Sequence, residues 1–285
     1  MLVDGLSAAL RALSFVALFQ ATGAAIYLAC FGELLVATRR AVQRLALKSA
    51  LVAIVLLIVQ YLFEAARMGG ELASVMDRDL QALALHSPAA LALAVRVIGL
   101  AVLALTLRAK SKPGIALVVA ATSVVLLGFT LMGHTASHSP RWLLVPLLLA
   151  HLLVVAFWFG ALVPLRLATR FEAPRTAGAA IEAFSTAATW IVPALLVAGV
   201  ALAAVLLGDF AGLRTAYGQA LIIKFGGFAL LMGLAALNKW RLGPGVTSGD
   251  ARVTRNFRRS LQVEYVLIAA VLTVTAIMTT FFSPD

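Results

Sequence analysis

The chain has 285 residues, 62% of them hydrophobic, with a mean hydropathy of +1.02 and a formal net charge of +11. So apolar a composition excludes an ordinary soluble domain, and a single cysteine, Cys30, excludes an internal disulfide. The basic excess invites a nucleic-acid reading, which its distribution along the chain removes.

Apolar runs recur at roughly 8–37, 47–66, 89–108, 115–133, 142–166, 180–207, 217–240 and 259–282. Each is near the ~20 residues a helix needs to cross ~30 Å of hydrocarbon. None has the alternation of a barrel strand, and an open sheet leaves its backbone unsatisfied in lipid. The expected fold class is an all-α integral membrane protein, a bundle of eight transmembrane helices in one domain over residues 1–285. The first run is too long for a cleaved signal peptide, so helix 1 is expected to remain in the mature protein.

Sixteen of the 23 Lys and Arg residues fall on or beside alternate connections: four at 39–48, three at 108–112, three at 166–175 and six at 239–259. By the positive-inside rule these connections are cytoplasmic and both termini periplasmic. Topology thus accounts for the charge, with membrane lipid headgroups as the contact it favours and no nucleic acid as partner.

On that topology all four histidines lie at or just beneath the outer side. The longest outward connection, 67–88, carries Met68, Met76 and His86. The next reads GHTASHSPR and holds His134 and His138 at i, i+4. On one further helical turn their imidazoles share a face, a usual arrangement for two ligands on one metal; in a turn they are two solvated polar residues. His151 lies about ten residues into helix 5, and an ionisable group that deep marks a functional site by default. Pro146, five residues earlier, frees a backbone carbonyl near it. Met132 and Met278 are the nearest thioethers in depth. Imidazole and thioether suit Cu(I) better than a hard cation.

Glu64, Arg96 and Lys224 lie in the outer half of helices 2, 3 and 7. They read either as intramembrane charges paired with one another or as a polar path. Asn238 and Glu264 lie near the cytoplasmic ends, as an inner exit or as caps of the basic loops. No nucleophile–base arrangement, phosphate loop or nucleotide motif is present, so no enzyme is expected.

The second half resembles the copper resistance protein D (CopD) family of bacterial inner-membrane proteins. The segments that carry the resemblance are HLLVVAFWFGAL (151–162), AFSTAATWIVPALLVAGVALA (183–203), TAYGQALIIKFGGFALLMGLAALNKWRLGP (215–244) and RRSLQVEYVLIAAVLTVTAIMTTFFSP (258–284). Within them His151, Trp158 and Gly160 match a His…Trp-x-Gly element, and Tyr217, Gly218 and Lys224 a Tyr-Gly…Lys element. Asn238 and the run Arg258, Arg259, Ser260 and Glu264 match two more. The first half is similar in helix count and topology. The resemblance implies copper handling in the inner membrane, by import from periplasm to cytoplasm, beside a separate periplasmic copper-binding protein of the CopC kind. A haem-binding electron-transfer protein and a non-transporting copper-sensing or assembly scaffold are the alternatives.

Overall fold

The computed structural model describes residues 2–107, 112–132, 140–207 and 210–282. Among them the regular elements are all helical. The helices are α1 (Leu2–Phe31), α2 (Arg39–Gly69), α3 (Arg78–Leu85), α4 (Pro88–Thr106) and α5 (Lys112–Leu127) in the first half. The second half holds α6 (Arg141–Phe171), α7 (Pro174–Leu207), α8 (Ala216–Leu237), α9 (Gly243–Thr247) and α10 (Ala251–Phe281). A five-residue π-helix, Asn238–Leu242, carries α8 on into α9 as one apolar rod.

Among the described residues seven helices are long and apolar enough to cross a membrane: α1, α2, α4, α6, α7, the α8–α9 rod and α10. The fourth expected span, 115–133, is found as α5. Its 16 residues reach about 24 Å at 1.5 Å per residue, short of the ~30 Å hydrocarbon core. Past Leu127 the amides of Gly128, Phe129 and Thr130 bond three residues back, the tighter winding that ends an α-helix.

α1 is the hub of the bundle. Its most apolar window is 78% buried, against 17% to 39% for the other long helices, and it packs on α2, α5, α6 and α10. The buried stretch is rich in small residues (Ala21, Gly23, Ala24, Ala25), which let helix backbones approach closely. At its crossing with α6, Gly23 meets Gly160 so closely that a Cβ on either would overlap the other helix's backbone. Large apolar side chains such as Leu51, Val55, Val197 and Ile223 are exposed. In water they would invite aggregation; facing lipid they cost nothing.

The bundle has two distinct ends. At one, the beginning of α1 meets the last turns of α2 and α10: Ser14 donates to Gln60 at 3.0 Å, and Arg11 donates to the Thr279 carbonyl at 2.7 Å. At the other end Glu172, just past α6, accepts from the amides of Ala37 (2.9 Å) and Thr38 (2.8 Å) and from the Thr38 hydroxyl (2.7 Å). Thr38 is the N-cap of α2 and makes no cap with its own side chain. A carboxylate from a different helix therefore satisfies the orphan donors there and complements the helix dipole. Partial burial pushes the Glu172 carboxyl up, but the bonds from Thr38 and Ala37 outweigh it and hold it below the usual carboxylate range.

Candidate functional site

A cavity of about 530 Å³ opens among the helices at the end that carries Arg67, Tyr217 and Met278, and along α6 it reaches as far as Trp158. His151, Met132, Met278, Arg96 and Lys224 all line it, so residues from five separate segments of sequence meet in one space.

His151 sits ten residues into α6, about 15 Å along its axis. α6 stays continuous through Pro146 and Pro164. Proline has no N–H to donate, so each leaves a carbonyl of the preceding turn free. The imidazole faces α7 at Gly199, where an added Cβ would lie 3.5 Å from Nδ1 and 3.4 Å from Cε1. Nδ1 is buried and makes no hydrogen bond within 3.5 Å among the described residues, the Leu195 backbone being the polar group that interacts with the ring. A neutral imidazole carries one nitrogen lone pair, which metal ions use. Met278 is 3% exposed and packs with Tyr217 and Ala203; Met132 is half-buried and lines both this cavity and the small pocket beside it.

The charges are arranged differently from the pairings expected. The Glu64 carboxylate bonds Arg67 at 3.1 Å, one turn along α2, and it borders a small adjoining pocket with Arg96 and Met132. It does not pair with Lys224, and among the described residues no carboxylate does. Arg96 is 7% exposed. Its guanidinium donates to the Gly128 carbonyl at 2.9 Å and lies 4.3 Å from the centroid of the Phe129 ring, a cation–π contact. Gly128 makes room for it, since a Cβ there would come within 2.6 Å of Arg96 Cγ. The turn that ends α5 is thus built around Arg96.

Beneath the cavity floor lies a second polar cluster. The Trp158 indole donates to Glu264 Oε2 at 3.2 Å, and the Asn238 amide donates to Glu264 Oε1. Glu264 is 2% exposed and has no cation partner among the described residues. Asn238 reaches it from the first residue of the π-helix. Asn238 and Glu264 therefore bond each other rather than capping the basic loops.

His86 stands apart: it is exposed at the end of α3, with Nδ1 2.9 Å from the Ala82 carbonyl, and does not line the cavity. His134 and His138 lie outside the described residues. Among the described residues no three His, Cys, Asp or Glu side chains come together. Arg11 and Arg67 also line the cavity and were not singled out from the sequence. For Arg11 the signal was present, an ionisable residue inside an apolar run, the same one that marked His151.

Comparison with curated proteins gave no match, and neither did comparison with solved structures. Two family models do match. The model described as "Copper resistance protein D" matches residues 178–278, and "Copper resistance protein D-like, N-terminal domain" matches residues 1–140. The first half, similar by sequence only in helix count and topology, is thus matched in its own right. With the Trp158, Asn238 and Glu264 motif positions converging on one cluster and both halves matched, the chain belongs to the copper resistance protein D family.

Proposed function

We propose that the protein carries copper ions across the bacterial inner membrane, from periplasm to cytoplasm, through the cavity that holds His151. The observation that carries this reading is an imidazole with an unpartnered ring nitrogen in the same cavity as two thioethers, Met132 and Met278. That donor set favours Cu(I), a soft ion, over the hard divalent cations. Both termini are periplasmic in this reading, and the basic connections at 39–48 and 239–259 are cytoplasmic. His134 and His138 capture the ion at the outer surface, supplied by a periplasmic copper-binding protein of the CopC kind. His151 receives it and, with the thioethers, replaces water lost from its hydration shell.

Trp158 closes the path inward, so passage requires its indole to swing and its hydrogen bond to Glu264 to break. Glu264 and Asn238 then become accessible from above. Copper uptake into proteoliposomes is the test. Uptake by the wild type and none by correctly inserted His151→Ala protein supports the reading, while equal uptake rejects it. One observation favours a second reading: the cavity far exceeds what an ion needs and has aromatic walls, including Phe19, Phe129 and Trp158. A planar cofactor such as haem would fit that description, and His151 and Met278 would be the residues to hold it. A Soret band in purified protein would identify it.

A further inference from the structure

Four cations line the cavity, Arg11, Arg67, Arg96 and Lys224, and among the described residues no aspartate or glutamate does. Glu64 sits just outside and is committed to Arg67. Arg11 is bonded to the Thr279 carbonyl and hydroxyl, and Arg96 to the Gly128 carbonyl and the Phe129 face. Carbonyls and rings satisfy donors, but they do not cancel charge. Within a bundle surrounded by hydrocarbon, several uncompensated cations in one cavity are costly. The Nε groups of Arg67 and Arg96 are, besides, buried without a hydrogen-bond partner, Arg96 Nε packing against Gly128.

We propose that the outer part of this cavity binds an oxyanion, a phosphate or carboxylate group held between Arg11, Arg67 and Arg96. The guanidinium fork matches an oxyanion's geometry and gives charge-assisted, often bidentate hydrogen bonds. The group enters either free from the outer solution or as the headgroup phosphate of a lipid, whose chains the apolar wall around Phe15, Phe19 and Leu152 would receive. The site does not depend on the copper reading, and it addresses a difficulty for it. A bare copper cation entering here meets like charge from α1, α2, α4 and α8, and a bound anion offsets that repulsion.

The experiment needs no copper. Full-length protein is stripped of lipid in a neutral maltoside detergent and titrated by calorimetry with inorganic phosphate and with acetate. A parallel sample in the same detergent is titrated with phosphatidylglycerol and examined by native mass spectrometry. Saturable binding of phosphate or acetate, weakened at least tenfold in Arg96→Gln and severalfold in Arg67→Gln, supports a free anion as occupant. Binding of phosphatidylglycerol alone, weakened in the same variants, supports the lipid source. Arg67 is half-buried at a helix end, so its variant remains informative where Arg96→Gln fails to fold. No saturable binding of any of the three, or binding unchanged in folded variants, overturns the site and leaves a water-filled vestibule.

Discussion

The indole N–H of Trp158 is 3.2 Å from a carboxylate oxygen of Glu264, and this one bond ties α6, at the end of the cavity, to α10, which also lines it. Trp158 follows His151 by two helical turns and so projects from the same face of α6. An ion held at His151 therefore has Trp158 directly beneath it, and Glu264 lies beyond. In a low-dielectric setting such a bond is strong, and its loss leaves a buried oxygen short of a donor.

Trp158→Phe keeps most of the ring volume and deletes the donor. The expected loss is about 1–3 kcal/mol, the cost of leaving a buried polar group short of its hydrogen-bond partner, seen as a lower unfolding midpoint in detergent. Copper uptake is expected to change as well, because the floor is no longer pinned. An unchanged midpoint together with unchanged uptake would show that the bond holds nothing in place.

For His151→Ala, uptake is expected to vanish while copper binding at the outer surface persists in part. His134→Ala should instead raise the copper concentration needed for half-maximal uptake. Only a deprotonated imidazole ligates, so binding at the outer pair should weaken as pH falls through about 6. Copper stoichiometry across pH 5–8, compared between the wild type and the His134→Ala/His138→Ala double variant, separates the surface sites from the deep one.

The Glu172 latch predicts a pH-dependent stability. Its carboxyl is held below the usual range in the folded protein, so its contribution is fully present above the unfolded pKa near 4.3. That contribution is lost as pH falls through the lower, folded value. Glu172→Gln should be less stable than wild type at pH 7 by on the order of 0.5–1 kcal/mol, a magnitude limited by solvent screening. The two melting curves should converge toward pH 3. A difference that stays constant with pH would assign the effect to lost packing rather than to the charge.

Gly160→Ala tests the α1–α6 crossing. Its Cβ would collide with Gly23 and Ala24 backbone, and forcing such helices apart typically costs about 1–3 kcal/mol. Loss of folded yield and a lowered melting point are expected, both milder in Gly226→Ala, where an added Cβ meets open space.

Much of this was legible in the sequence, and the gaps have physical causes. Long apolar runs located the seven helices that are long enough to span, because hydrocarbon thickness sets run length and little else does. Depth along α6 marked His151 without knowledge of its neighbours. Partner choice was not legible, since spacing along one helix does not say which helix lies beside it. Glu64 turned to Arg67 on its own helix rather than to Lys224, and Glu172 found the start of α2 about 135 residues back in the chain. The shortness of α5 was hidden for the same reason: the apolar run continues past Leu127, and it is Arg96, from α4, that engages the turn there.

The π-helix at Asn238–Leu242 acts as a phase shift in an otherwise regular rod. Its closing bond runs from the Gly243 amide to the Asn238 carbonyl, one residue wider than an α-turn, so the side chains that follow are rotated relative to those before. At its start, Asn238 reaches α10 at Glu264 while the next residue, Lys239, extends its ammonium to the Thr189 hydroxyl on α7 at 2.7 Å. Such widened turns often mark functional positions in helices. Removing a single residue between Lys239 and Leu242 would let the rod relax to regular winding. The wide turn absorbs one extra residue, so that deletion would leave the faces beyond it in place, whereas regular winding without the deletion would turn them by roughly 100° away from their present neighbours.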